Sequence, residues 1–185
     1  MPTKRIRKAA VIGGGVMGRG IAAHLANAGI PSVLLDIVPP NPKEGDDVND
    51  PSFRNRFAIG AIERMKKDKP SLILTTTDLD LITPGNVEDN LDWLADVDWI
   101  VEAVPEQMSI KQATFDKIED HAHPEAIIAS NTSGLSIAGM LEGLRQRDFI
   151  RDTFGRYISK DVVDTLLGSP DGLKLGGDRR EITLL

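Results

Sequence analysis

The sequence predicts an α/β fold in which a doubly wound parallel sheet is covered by helices, followed by a helical or irregular tail. Three observations support this prediction. Short apolar runs typical of buried parallel strands alternate with longer segments of helical periodicity. The first apolar run ends in consecutive glycines, which favour a sharp turn into a helix. Beyond Gly143 the alternation stops, which marks the start of the tail.

The first part of the chain predicts one strand-helix-strand unit. Residues 9–12 and 32–36 are short apolar runs that suit buried strands. Between them, apolar residues recur at spacings of three and four over residues 16–28, and Gly29 stands where a helix C-cap is expected. Two parallel strands joined by a helix are expected to form a right-handed crossover.

The remaining elements continue this alternation. Four prolines predict an exposed loop at residues 39–51. We then expect helices at 54–67 and 109–122, strands at 81–83, 99–104 and 126–130, and a last helix capped by Ser136 and running to Leu141. A boundary near Arg147 divides the chain into a domain of residues 1–147 and a tail of residues 148–185.

Composition limits the classes of function. The chain has 185 residues, a formal net charge of −6 and no cysteine. The negative charge disfavours nucleic acid and anionic membranes as partners, and the lack of cysteine excludes disulfides and thiolate chemistry. No apolar stretch approaches the ~20 residues of a membrane-spanning helix, and the glycines at 13–15 interrupt the first apolar run too early for a signal peptide. We expect a cytoplasmic protein, and no residue pattern predicts a metal site.

The residues between the first strand and the first helix carry a phosphate-binding pattern. Gly13-Gly14-Gly15-Val16-Met17-Gly18 fits G-x-G-x-x-G. In this pattern Gly13 permits the tight turn, Gly15 lets the backbone approach a pyrophosphate, and Gly18 lets helix and sheet pack closely. Val16 and Met17 begin the helix, whose free N–H groups and positive dipole end favour a phosphate.

An acidic residue at the end of the second strand completes the pattern. Asp36 follows Gly18 by eighteen residues, where a carboxylate binds the ribose hydroxyls of adenosine and repels a 2′-phosphate. Together with the glycine pattern, Asp36 predicts a Rossmann-type domain that binds NAD in preference to NADP. The alternative is an ordinary glycine turn with an unrelated surface acid.

Three segments carry a more specific resemblance. They are Ala-Val-Ile-Gly-Gly-Gly-Val-Met-Gly at 10–18, Trp-Ile-Val-Glu-Ala-Val-Pro-Glu at 99–106 and Ala-Ser-Asn-Thr-Ser-Gly-Leu-Ser at 129–136. Together they resemble the NAD-binding domain of the 3-hydroxyacyl-CoA dehydrogenases of fatty-acid β-oxidation, particularly the long bacterial type, over roughly residues 6–147. The resemblance implies an oxidoreductase with NAD as cofactor and an acyl-CoA as substrate, in which hydride moves between C3 of the acyl chain and the nicotinamide.

The resemblance also implies roles for individual residues. The family's acid and lysine at the positions of Glu106 and Lys111 contact the cofactor, and its serine at Ser133 contacts both the substrate 3-hydroxyl and the cofactor. Each residue type also has a structural interpretation. Glu106 can complement a helix dipole, Lys111 can lie on a solvated helix face, and Asn131-Thr132-Ser133 can cap or turn the chain after a strand.

Four basic side chains fall in the region from which the family contacts CoA: Arg56, Arg64, Lys66 and Lys67. They either meet the CoA phosphates or form the solvated face of a basic helix, and the second interpretation is favoured because no individual position matches the family.

The resemblance stops before the family's catalytic base. Nothing here matches the family's His-Phe-Phe-Asn-Pro segment, the glutamate that orients its histidine, or the helical domain that forms its dimer. We expect His24, His121 and His123 to be surface or packing residues. The chain alone is therefore expected to bind NAD with little or no dehydrogenase activity, and its oligomeric state is not predicted.

The tail resembles a different family. From about Phe149 to Leu185 it is similar to the lead-in and first strand of class III adenylate/guanylate cyclase domains, and it ends before that family's metal-binding aspartate. We therefore expect no cyclase chemistry. An alternative function for the whole chain is a non-catalytic nucleotide-binding or regulatory module that carries a cyclase fragment, and an alternative structure for the tail is an ordinary helical segment with a terminal strand.

Overall fold

The protein forms a parallel sheet with helices on both faces. The computed structural model describes residues 5–140. Within that range the sheet has five strands, in the order β3-β2-β1-β4-β5. The strands are β1 (Ala9–Ile12), β2 (Ser32–Asp36), β3 (Ile82–Asn86), β4 (Trp99–Glu102) and β5 (Ile127–Ser130). Every pairing is parallel, so the predicted α/β, doubly wound fold is confirmed.

Helices cover the two faces of the sheet. They are α1 (Val16–Asn27), α2 (Pro51–Arg54), α3 (Arg56–Lys67), α4 (Met108–His121) and α5 (Ile137–Met140), and 3₁₀ segments occur at Thr76–Leu81 and Leu91–Asp96. Helices α1 and α3 pack on one face and α4 and α5 on the other. None of the helices within residues 5–140 has the length and apolar character needed to cross a membrane.

Strand β1 shows why the sheet is buried on both faces. Its four residues are almost completely inaccessible. Ala9 and Val11 belong to the apolar cluster under α1 and α3, whereas Ala10 and Ile12 belong to the cluster under α4. Successive side chains of a strand point to opposite faces, so a strand covered on both sides becomes a continuous apolar run.

The strand order creates a crevice at the carboxyl ends of the central strands. The chain runs outward from β1 through β2 to β3, and then returns to the other side of β1 as β4. Loops that follow β1 and β4 therefore diverge, which is where open parallel sheets bind ligands. Backbone hydrogen bonds fix the start of these loops: Gly13 donates to Leu35 O at 2.7 Å, and Ala103 donates to Ile12 O at 2.8 Å.

Several boundaries differ from the predicted ones. The predicted helix over 54–67 is divided at Asn55, because Asp50 caps a separate turn in which Pro51 occupies the first position. Strand β3 is longer than the predicted 81–83 and includes Pro84. An edge strand tolerates proline because the side of the strand that faces away from the sheet needs no backbone N–H donor. Strand β4 ends at Glu102 rather than at residue 104.

The ends of the first and last helices agree with the sequence patterns. Gly29 lies just beyond α1 with a φ of +73°, a conformation that favours glycine. The Ser136 hydroxyl accepts a hydrogen bond from the Gly139 amide at 3.3 Å, so Ser136 caps α5 as predicted. The predicted end of that helix at Leu141, the boundary near Arg147 and the tail of residues 148–185 lie outside the described residues.

Candidate functional site

A cleft of about 890 Å³ opens at the carboxyl ends of β1, β2 and β4. Its wall is formed by residues 12–17, 35–37 and 103–106, by Asn131 and Ser133, and by Val87, Leu91, Ser109, Ile110, Ala113, Thr114, Lys117 and Ile118. The cleft brings together most of the predicted site residues, namely Gly13, Gly15, Val16, Met17, Asp36, Glu106 and Ser133. Gly18 and Lys111 do not line it, because both are buried behind its wall.

The three glycines of the motif lie in different surroundings. Gly13 has a φ of +103°, and a Cβ atom there would lie 2.7 Å from Ala103 O. A Cβ at Gly18 would lie only 1.8 Å from Gly13 O, so the approach of α1 to the turn requires glycine. A Cβ at Gly15 would meet nothing within 4 Å, because Gly15 faces the open cleft.

The N-terminus of α1 lies in the wall of this cleft, and no side chain of the helix caps its first amides or balances its positive dipole end. Gly15 occupies the N-cap position and supplies no capping side chain, and the first turn of α1 contains no acidic residue. Val16 and Met17 are 71% and 55% exposed, although both are large apolar residues. A helix end with free amides and a positive dipole, set in a cleft, suits an anionic group such as a phosphate.

Asp36 holds the glycine turn as well as lining the cleft. Its Oδ2 atom accepts a hydrogen bond from the Gly14 amide at 2.7 Å, and its Oδ1 atom accepts one from the Ile37 amide at 2.7 Å. A Cβ at Gly14 would lie 2.8 Å from Oδ2, so a side chain at this position would displace the Asp36 carboxylate, which the sequence pattern alone does not reveal. A carboxylate oxygen can accept about two hydrogen bonds, and each Asp36 oxygen accepts one of those described above. Both oxygens therefore keep capacity for the hydroxyls of a ligand.

A buried ion pair lies behind the other end of the cleft. The Glu102 and Lys111 side chains have no exposed surface, and Lys111 Nζ lies 2.8 Å and 2.9 Å from the two carboxylate oxygens of Glu102. Glu102 also accepts hydrogen bonds from the Val104 amide at 2.7 Å and from the Ser130 hydroxyl. Lys111 Nζ is in addition 3.3 Å from Glu106 Oε2.

Glu106 connects this pair to the loop that follows β5, which we call the serine loop (residues 132–134). Glu106 Oε1 accepts hydrogen bonds from Thr132 Oγ1 at 2.6 Å, from the Gly134 amide at 3.1 Å and from the Ser133 amide at 3.2 Å. The Thr132 hydroxyl and the Gly134 amide are the main reasons why the pKa of Glu106 falls from 4.5 to about 2. Glu106 is therefore a carboxylate that binds the serine loop, rather than one that only complements the dipole of α4.

The interpretation of Lys111 as a solvated surface residue is wrong. Lys111 lies on the same face of α4 as Phe115 and Ile118, at positions i, i+4 and i+7, and all three side chains are buried. The preceding residue, Ile110, lines the cleft. The sequence contained two signals for this arrangement. Lys111 has the same helical spacing as the apolar residues Phe115 and Ile118, and an acidic residue, Glu102, ends a buried strand.

The basic residues of α3 have local partners or face solvent. Arg56 forms an ion pair with Asp46 at 2.6 Å, and its guanidinium lies 4.6 Å from the centre of the Phe53 ring. The other three, Arg64, Lys66 and Lys67, are exposed near the end of the helix. The structure thus agrees with a solvated basic helix, the interpretation that the sequence favoured.

The histidines are exposed or half-buried, which agrees with the prediction of surface or packing residues. His24 and His123 are exposed, and His121 is half-buried with its Nδ1 atom 2.9 Å from the Lys117 carbonyl oxygen. None of these histidines belongs to the cleft wall, which consists of residues within the described range.

Replacing Glu106 is expected to change the acid sensitivity of the fold. A carboxylate whose pKa is lower in the folded state stabilises the fold above its unfolded pKa, and this contribution is lost as the pH falls through the folded value. Glu106→Gln retains an acceptor oxygen but does not titrate. We expect the difference in free energy of unfolding between the two proteins to shrink as the pH falls from 4.5 to about 2.

Urea unfolding at a series of pH values measures this difference. Glu63→Gln, the same substitution at an exposed position of α3, is the matched control. A Glu106→Gln difference that stays constant across this pH range would contradict the assigned role of the Glu106 carboxylate.

Comparison with known proteins identifies relatives of the chain. Residues 8–151 match the family model described as "3-hydroxyacyl-CoA dehydrogenase, NAD binding domain". A probable 3-hydroxyacyl-CoA dehydrogenase of Bacillus subtilis is 44% identical over 159 residues, which are 83% of this chain and 20% of the relative. A probable 3-hydroxyacyl-CoA dehydrogenase of Deinococcus radiodurans is 43% identical over 153 residues, 83% of this chain and 41% of the relative. The chain therefore spans less than half the length of these relatives.

Solved structures show the same fold. A 3-hydroxybutyryl-CoA dehydrogenase of Escherichia coli superposes with a TM-score of 0.55 at 26% identity, covering 76% of this chain and 27% of that one. The (S)-3-hydroxybutyryl-CoA dehydrogenase of Ralstonia eutropha has a TM-score of 0.51 at 27% identity, covering 75% of this chain and 45% of that one.

Proposed function

The chain belongs to the family of 3-hydroxyacyl-CoA dehydrogenase NAD-binding domains, and on this premise we propose that it is the cofactor-binding part of an oxidoreductase acting on 3-hydroxyacyl-CoA. The observation that carries the proposal is the cleft at the point where the strand order reverses. The uncapped start of α1 lies in its wall, Asp36 stands on one side and Glu106 with Ser133 on the other. A dinucleotide binds across such a crevice with its pyrophosphate at the helix N-terminus.

Each part of the cleft suits one part of NAD. The amides of the first turn, at Val16 and Met17, would donate hydrogen bonds to the pyrophosphate, which would occupy the space beside Gly15. Asp36 accepts from the adenosine ribose, and the apolar surface next to it holds the adenine. That surface includes Val87, whose amide donates to the Asp36 carbonyl at 2.9 Å. Gly13 and Gly18 act indirectly, because they allow the turn and the close approach of α1.

The other half of the cofactor then lies toward β4 and β5. Its nicotinamide accepts or returns the hydride when NAD is bound. Glu106 and Ser133 line this end, where a carboxylate suits ribose hydroxyls and a serine hydroxyl can donate to the 3-oxygen of an acyl-CoA. Lys111 is buried behind this wall, so we assign it an effect on the cofactor through Glu106 rather than a direct contact.

A substitution at Gly15 tests the proposal. Gly15→Val is expected to lower the affinity for NAD by at least about tenfold, because displacing a phosphate from one amide costs ~1.5–3 kcal/mol. It should cost the fold no more than about 1 kcal/mol, since a Cβ at this N-cap position meets nothing within 4 Å. Calorimetric titration with NAD and urea unfolding measure the two quantities.

Gly20→Val is the matched control, because Gly20 lies in the same helix and its Cβ position is also open. We expect it to leave NAD affinity unchanged. Unchanged affinity in Gly15→Val would contradict the placement of the pyrophosphate. If NADP binds as tightly as NAD, the role given to Asp36 is wrong even though the cleft binds a dinucleotide.

A further inference from the structure

Lys111 acts on the cofactor through Glu106, but its buried partner Glu102 has no role of its own in the proposed cofactor site. Neither residue belongs to the cleft wall, and neither side chain is exposed. A buried ion pair contributes little more to stability than apolar residues of similar volume. Unlike apolar contacts, the hydrogen bonds of this pair are directional, so they can hold neighbouring groups in a fixed orientation.

The pair connects three segments that meet at one end of the cleft. Glu102 ends β4 and accepts from the hydroxyl of Ser130, which ends β5. The two oxygens of Glu102 accept four hydrogen bonds, two of them from the ammonium of Lys111 on α4. These bonds fix the position of the Lys111 ammonium. Apart from the two Glu102 oxygens, the acidic oxygen that lies close to Lys111 Nζ is Oε2 of Glu106, at 3.3 Å.

The fixed ammonium determines how Glu106 is oriented. The Glu106 side chain is 41% exposed, so solvent is available to its carboxylate in other rotamers. With Oε2 facing Lys111, Oε1 is free to accept from the three donors of the serine loop. Ser133, whose backbone is one of these donors, also lines the cleft.

We propose that Glu102 is a positioning residue that acts through Lys111 and Glu106 to hold the serine loop against the nicotinamide half of NAD. This inference rests on the proposed function, because it assumes that NAD binds in the cleft. It assigns the buried pair an effect on one half of the cofactor and none on the adenosine half, which lies at Asp36.

The test compares NAD with ADP, which lacks the nicotinamide and the ribose attached to it. The variant Glu102→Gln/Lys111→Met removes both buried charges together and keeps similar side-chain volumes. In this variant NAD affinity is expected to fall by about tenfold, the effect of losing one charge-assisted hydrogen bond, while ADP affinity stays the same. The amide resonances of Ser133 and Gly134 are expected to move, because their acceptor is no longer fixed. Glu63→Gln/Lys69→Met, the same two changes at exposed positions, should alter neither affinity nor these resonances.

The possible outcomes separate the two proposals. If the double variant folds and keeps the wild-type ratio of NAD to ADP affinity, the positioning role is wrong. The same conclusion follows if wild-type protein binds both ligands equally. If wild-type protein binds neither ligand, the proposed function itself fails.

A second variant covers the case in which the double variant does not fold. Thr132→Val removes the hydroxyl that donates to Glu106 at 2.6 Å and leaves the buried charges in place. It is expected to lower NAD affinity without changing ADP affinity. Equal effects on both ligands, or no effect on either, would overturn the positioning role.

Discussion

Gly18→Ala is expected to lower the free energy of unfolding by about 3 kcal/mol or more, or to prevent folding. The added Cβ would lie 1.8 Å from the Gly13 carbonyl oxygen and 3.4 Å from Val11 Cγ1. The first contact is with backbone in a turn that is itself constrained, because Gly13 has a φ of +103° and lies against the Ala103 carbonyl. Relief therefore requires α1 to move away from the sheet, and overpacking of this kind costs ~1–3 kcal/mol or more.

The matched control is Gly20→Ala in the same helix. A Cβ at Gly20 meets nothing within 4 Å, so this variant should gain up to about 1 kcal/mol from the higher helix propensity of alanine. Urea unfolding of the two variants and the wild type gives the comparison. Similar effects at the two positions would show that α1 can shift at no great cost, which would contradict the spacing role given to Gly18.

The glycine motif could be recognised from sequence because its geometry is local. The turn, the helix that follows it and the strand before it lie within residues 9–27, and their spacing fixes where each glycine falls. The close contact between Gly14 and the Asp36 carboxylate could not be recognised in this way. It arises from Asp36, which is distant in sequence and approaches only after β2 pairs with β1.

The opposite end of the cleft was predicted less well because it is assembled from two strand ends and a helix. The sequence left Lys111 as either a cofactor contact or a solvated residue, since a lysine is rarely buried without a partner. The partner is Glu102, which lies in a different element and is itself buried. Only the parallel pairing of β4 with β5 reveals that Glu102 meets Ser130, and that the pair reaches the serine loop through Glu106.

The same reasoning explains the errors at the sheet edge. Residues 84–86, Pro-Gly-Asn, have the composition of a turn, and they nevertheless extend β3 alongside β2. An edge strand needs backbone partners on one side only. Pairing with β2 therefore outweighs the low strand propensity of proline, glycine and asparagine at these positions.

Lys111→Met is expected to lower the free energy of unfolding by about 3–5 kcal/mol, because it leaves the Glu102 carboxylate buried without its cation. Glu102 would keep the Val104 amide and the Ser130 hydroxyl as donors, and both are weaker partners for a full negative charge than an ammonium. Glu106 would lose its contact with Lys111 as well, although its bonds to the serine loop would remain possible.

Two comparisons isolate the electrostatic part of this loss. Lys69→Met makes the same substitution at an exposed position and is expected to change stability by less than about 0.5 kcal/mol. Glu102→Gln/Lys111→Met should recover most of the stability lost in Lys111→Met, because no uncompensated buried charge remains and a glutamine can still accept from the Val104 amide and pair with Ser130. Urea unfolding measures all three variants. If the double variant is as unstable as Lys111→Met, the loss comes from packing around the lysine stem, and the buried charge is not its cause.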